Sequence, residues 1–164
     1  MTEKRIHGRH EAGMRFTLRT GSGHDIVLDD GAGDMGPRPT ETLIAALVGC
    51  TAMDVASLLA KKRQVVTSYT IEATADQQDD YPQVFTRIDL THVVEGPAVS
   101  LAAVKRSIEL SATKYCPISA MISAGPTAIH HRYRVRNSAA EPPEWIEGEL
   151  MVTGPHQPAT GRSK

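Results

Sequence analysis

Two cysteines are the side chains in this sequence best suited to chemistry, and their surroundings differ. Cys50 lies within Glu41-Thr42-Leu43-Ile44-Ala45-Ala46-Leu47-Val48-Gly49-Cys50-Thr51-Ala52-Met53-Asp54-Val55, a stretch apolar enough to form a buried helix. Cys116 lies within Lys114-Tyr115-Cys116-Pro117-Ile118-Ser119, where a second helical pattern runs into a proline. With no other cysteine in the chain, the two form a candidate redox pair: a thiolate is the nucleophile, and a second thiol can close a disulfide on it. Gly49 leaves space beside the Cys50 sulfur for a small reactant, and a helix end at Pro117 lets the backbone shift to bring one sulfur to the other. The plainer alternative is that both are packed as small hydrophobes, as free cysteine often is.

Other candidate motifs carry less. Gly31-Ala32-Gly33-Asp34-Met35-Gly36 has the glycine spacing of a dinucleotide loop, but such a site needs a helix opening directly on those glycines. Here Pro37-Arg38-Pro39 intervenes, and Asp29, Asp30 and Asp34 would repel phosphate, so the segment reads as a loop. His130 and His131 are neighbours on a predicted strand, so their rings point to opposite faces and cannot share a metal. His7, His10, His24 and His92 show no ligand spacing with either cysteine, so a four-ligand zinc site is not expected. A Cys–His hydrolase fits the residue types, without any local signature for it.

Elements must position these side chains. Met14 to Thr20 and His24 to Asp29 read as strands joined by Gly21-Ser22-Gly23. A helix is predicted from Thr40, as N-cap, to Arg63, with Lys61, Lys62 and Arg63 against its dipole. Tyr69 to Ala75 and Val84 to Val94 alternate as an antiparallel pair, Ile88, Leu90, His92 and Val94 sharing one face. A second helix runs from Ser100, with Ala103, Val104, Ile108 and Ser111 inward, and stops by Pro117. Ile129, His131, Tyr133 and Val135 mark a last strand. From Asn137 on, prolines and a lone Trp145 show no periodicity. The domain is therefore expected over residues 1–137, with 138–164 a draped or disordered tail. The order implies an α+β domain with a mostly antiparallel sheet.

At 164 residues the chain has room for one domain with a core. Aromatics make up only 4% of it, so aliphatic side chains must fill that core. A net charge of -1 argues against nucleic acid or anionic membrane as partner. The N-terminus lacks the apolar run of a secretory signal, and the twelve apolar or small residues between Glu41 and Asp54 are too few to cross a bilayer. A cytoplasmic location is expected, where a cysteine pair is more often catalytic, redox-sensing or simply buried than a permanent crosslink. A helix apolar on nearly every side also needs more cover than so small a sheet supplies, which points to a second subunit.

The segment Gly36-Pro37-Arg38-Pro39-Thr40-Glu41-Thr42-Leu43-Ile44-Ala45-Ala46-Leu47-Val48-Gly49-Cys50, followed far downstream by Cys116-Pro117-Ile118-Ser119, resembles the osmotically inducible protein C / organic hydroperoxide resistance (OsmC/Ohr) family. The resemblance spans about residues 10 to 136. It implies an intertwined homodimer in which sheets from both chains wrap two long central helices. It also implies thiol-dependent reduction of organic hydroperoxides, without metal, flavin or haem, regenerated by a dithiol that is often lipoyl-linked. By motif, Cys50 is the residue that attacks peroxide and Cys116 the one that resolves its sulfenic acid. The family's thiolate is held by an arginine from an N-terminal strand, which the resemblance assigns to Arg15, with Arg19 in reserve. A carboxylate orients that guanidinium, and the resemblance assigns it to Glu41.

One position departs from the pattern. The peroxidase branch carries its glutamate ten residues before the cysteine, in an Asn-Pro-Glu setting; here that place is Thr40, and Glu41 stands nine before Cys50. One residue turns a helical side chain by about 100°, and the segment is in this respect similar to the OsmC-like branch. Two other readings stand beside peroxide reduction: a dimer that binds an apolar ligand or senses redox state without turnover, and an acyl hydrolase with Cys50 as nucleophile.

Overall fold

The computed structural model describes residues 3–152. The chain forms two compact units, Met1–Ala45 and Ala46–Lys164, whose boundary falls inside one long helix.

The first unit is a three-stranded antiparallel sheet of β1 (Ile6–Ala12), β2 (Arg15–Thr20) and β3 (Asp25–Leu28), in that order. Gly13 (φ 59°) turns β1 into β2, a left-handed conformation that favours glycine. The hairpin between β2 and β3 agrees with the sequence reading, whereas β1 carries too few apolar residues (Ile6-His7-Gly8-Arg9-His10-Glu11-Ala12) to announce itself. The glycine loop that follows wraps carboxylates. Asp30 Oδ1 accepts from the Ala32 and Gly33 amides at 3.1 and 2.9 Å, and Asp29 Oδ2 from the Met35 amide at 3.3 Å. Those N–H groups, which would have to cradle a phosphate, are already engaged.

The long helix α1 covers Pro39–Lys61. Arg38, rather than Thr40, precedes its first residue, and the Glu41 carboxylate reaches back to accept the Arg38 backbone N–H at 2.8 Å. Proline at the first helical position and this return hydrogen bond together satisfy the start of the helix. Leu47, Thr51, Val55 and Leu59, spaced by four, are its buried residues, while Leu43 (44% exposed) and Met53 (75%) are uncovered within the chain. The helix is long and apolar enough to cross a membrane by length and composition. It exceeds the run counted from sequence because it continues beyond Asp54 through Val55–Leu59.

The second unit holds a four-stranded sheet in the order β4 (Ser68–Gln77), β5 (Phe85–Gly96), β6 (Ala128–Asn137), β7 (Trp145–Leu150). Antiparallel pairing joins β4 to β5 and β6 to β7, but β5 and β6 run parallel. Parallel neighbours require a crossover, which two helices provide: α2 (Leu101–Leu110) and α3 (Pro117–Ser123), linked by a π-helical turn at Ser111–Tyr115. Ser100 caps α2, accepting the Ala103 amide at 3.3 Å. Val55 and Leu59 pack with Val94, Val99, Val104, Ile108, Tyr133 and Val135 in the core.

Two expectations change here. Pro117 does not simply end the second helix, since a further helix starts on it. The tail expected to be draped or disordered from 138 contains β7, and residues 153–164 lie outside the described residues. β7 pairs through charge rather than apolar alternation. Glu147 and Glu149 bind Arg134 and Arg132 on β6 at 2.7 and 3.1 Å, and Trp145 lies under the Arg134 and Arg136 guanidinium groups.

Candidate functional site

Cys50 occupies the middle of α1, one position before the fully buried Thr51, so it lies at the margin of the buried stripe and is half-buried. Cys116 occupies the break between the π-helical turn and α3. Its amide still closes the turn, donating to the Ser111 carbonyl at 2.9 Å, while its ψ of 104° takes the chain out of the helix. Pro117 enforces that extended conformation on the residue before it and then starts α3. Cys116, a residue 3% exposed, thus takes the N-cap position, and its sulfur accepts the Ser119 amide at 3.3 Å. Thr51 Oγ1 also approaches it, at 3.8 Å.

The Cys50 and Cys116 sulfurs and a carboxylate oxygen of Asp54 all lie within 4.8 Å of one another. The expected convergence of the two cysteines is therefore found, as free thiols. Asp54 is a third member that the sequence reading passed over. Its signal was present: it stands four residues beyond Cys50, on the same helical face, and is the one charged residue between Glu41 and Lys61. Ser111 Oγ donates to Asp54 Oδ2 at 2.9 Å, holding the carboxylate from the helix that leads to Cys116. Gly49 offers room as expected, since a Cβ built there meets nothing within 4 Å.

Electrostatics hold Cys50 as a thiol. Burial, the hydrogen bond with Cys116, and the charges of Cys116 and Asp54 push it up to about 11, against a lowering by the Ile118 amide. The groups acting on it, Cys116, Ile118 and Asp54, all belong to its own unit, and none of them is a cation.

Arg15 and Glu41, which the resemblance assigns as the cation and its partner, both belong to the first unit. Arg15 opens β2 in the first unit, paired with Ala12 of β1, and its guanidinium makes no hydrogen bond or ion pair among the described residues. Arg19, the reserve, is bound to Asp25 at 2.9 Å. Glu41 is engaged with Arg38, by the cap hydrogen bond and a guanidinium contact at 3.9 Å.

A second polar group crosses the inner face of the larger sheet. The Tyr69 hydroxyl meets His92 Nδ1 at 2.9 Å, and His92 Nε2 meets His131 Nδ1 at 3.3 Å. Both rings are almost fully buried, and His131 Nε2 has no partner among the described residues. Burial, reinforced by the neighbouring ring, lowers His92 to about 3. Burial and His130 lower His131 to about 4. Burial also raises the Tyr69 hydroxyl.

The description "OsmC-like protein" fits residues 31–132. The chain is 38% identical over 123 residues to protein YhfA of Escherichia coli, an alignment covering 75% of this chain and 91% of that protein. Among solved structures, a hypothetical protein from Aquifex aeolicus superposes with a TM-score of 0.73 at 26% identity, over 82% of this chain and 97% of that one. The organic hydroperoxide resistance protein OhrB of Bacillus subtilis shares the fold at 16% identity, with a TM-score of 0.56 over 80% and 98% of the two chains.

Proposed function

Because this chain belongs to the OsmC-like protein family, we propose that it is a dimeric, cytoplasmic thiol peroxidase that reduces organic hydroperoxides. The observation that carries this reading is the approach of two free sulfurs, one half-buried and one covered, to within 4.8 Å. The more accessible Cys50 is the attacking residue. Its thiolate takes the distal peroxide oxygen, releasing an alcohol after protonation and leaving a sulfenic acid. Cys116 then displaces water from that sulfur to form the disulfide, and an external dithiol returns both residues to thiols.

A thiol raised to about 11 is a poor nucleophile at neutral pH, so activation requires a cation. Arg15 fills that role in this reading, oriented by Glu41, and its lack of an ion pair among the described residues leaves it free to do so. The uncovered Leu43 and Met53 of α1 support burial of this helix between two copies. The raised thiol also favours a second reading, a ligand-binding or redox-sensing dimer without turnover.

Consumption of an alkyl hydroperoxide by the full chain, driven by dihydrolipoamide, tests the proposal. Stoichiometric alcohol formation over many cycles is expected. One equivalent of oxidation with no further turnover would favour the sensor.

A further inference from the structure

We propose that the reduced protein binds a thiophilic divalent cation, of the zinc or cadmium type, between Cys50, Cys116 and Asp54. Two sulfurs and a carboxylate oxygen converge within 4.8 Å, and no other three Cys, His, Asp or Glu side chains do so among the described residues. In a tetrahedral site with Zn–S near 2.3 Å and Zn–O near 2.0–2.2 Å, ligand atoms stand about 3.5–3.8 Å apart. Closing the present spacing to that value needs displacements of about an ångström or less, within reach of side-chain rotation at a half-buried position.

The donor set is soft. Two thiolates and one carboxylate carry three negative charges against two positive, and thiolates select zinc-like cations over magnesium or calcium. A fourth position is open to water, because Cys50 is half-buried rather than enclosed. The surroundings already orient the donors as outer-shell groups do in metal sites. Ser111 Oγ holds one Asp54 oxygen at 2.9 Å, leaving the other for a cation. The Ser119 amide and the Thr51 hydroxyl point at the Cys116 sulfur. Asp54 thereby acquires a function that thiol–disulfide exchange does not give it. The Asp54 carboxylate opposes ionisation of the Cys50 thiol when the site is empty, yet completes a cation site when it is filled.

The inference requires only the reduced thiols and does not depend on peroxide turnover. The test uses the full chain, reduced with a phosphine and titrated with Cd²⁺ under argon, reading the thiolate-to-cadmium charge-transfer absorption. One Cd²⁺ per chain is expected, lost in Cys50→Ser and in Cys116→Ser. Asp54→Asn should weaken binding at least tenfold, and Ser111→Ala about 10-fold or more through loss of carboxylate orientation. Absence of the band, or equal affinity in Asp54→Asn, overturns the proposal. X-ray absorption at the zinc edge of the Zn²⁺-loaded, unmutated chain decides the matter even where a variant fails to fold. Two sulfurs with two oxygen or nitrogen neighbours support the site. A shell with no sulfur, or with four, overturns it.

Discussion

The sulfurs of Cys50 and Cys116 lie within 4.8 Å of each other, although one belongs to the middle of α1 and the other to the break before α3. The approach depends on a π-helical turn and a proline. The Ser111–Tyr115 turn places the Cys116 amide on the Ser111 carbonyl, and Pro117 sends the chain into a new helix whose N-cap is the cysteine itself. A straight α2 continuing through this position would carry the sulfur onward along its axis.

Oxidation of the reduced chain by one equivalent of alkyl hydroperoxide should therefore give an intramolecular Cys50–Cys116 disulfide, read by mass spectrometry of the non-reduced digest. Cys50→Ser should abolish peroxide consumption. Cys116→Ser should form one sulfenic acid on Cys50 and then stall or over-oxidise. Dimedone adducts found only on Cys116 in the unmutated chain would reverse the assigned order.

Activation is tested by the pH profile of thiol alkylation. With Arg15 organised at the thiolate, Cys50 titrates well below 11, and Arg15→Ala should move it up by more than one pH unit. Glu41→Gln should have a smaller effect and should also loosen the start of α1, whose Arg38 amide it caps. Asp54→Asn acts in the opposite direction, because its charge raises the thiol. A Cys50 that titrates near 11 in the unmutated protein and is unmoved by Arg15→Ala would remove the peroxidase reading's activating group.

Acid should destabilise the larger unit through His92 and His131. Both have folded values lowered below the ordinary 6.5, to about 3 and about 4. Such groups stabilise the fold at pH above 6.5, where both states are neutral, and that contribution is lost as pH falls below it and the unfolded chain takes up protons. The loss is up to about 1.4 kcal/mol per pH unit for each ring. Urea unfolding between pH 7 and 4.5 should show the slope, and His131→Phe should flatten it while removing the unpartnered Nε2. An unchanged slope in that variant would place the acid sensitivity elsewhere.

Assembly is tested at Met53, 75% exposed in the single chain. Light scattering of the unmutated protein at micromolar concentration should give a dimer, and Met53→Glu should shift it toward monomer by placing a charge on the apolar helix face. A monomeric, cooperatively folded unmutated chain would contradict the dimer.

Much of this was legible in residue order, because it depends on neighbours. Helix α1, the alternation of β4, β5 and β6, the Gly-rich turn and the start of α2 near Ser100 each follow from periodicity or local hydrogen bonding within a few positions. The motif around Cys50 with Cys116-Pro117 also carried the family. What only the tertiary structure decided involves partners distant in sequence. β1 and β7 have weak apolar patterns and exist because another strand supplies hydrogen bonds and, for β7, arginines. The parallel pairing of β5 with β6 follows from a crossover whose length is visible but whose direction is not. Asp54 reads in sequence as one charge on an apolar helix; its place beside two sulfurs, tied by Ser111, comes from packing α1 against the end of α2. Local physics chooses the elements, whereas long-range burial and hydrogen bonding choose which side chains meet.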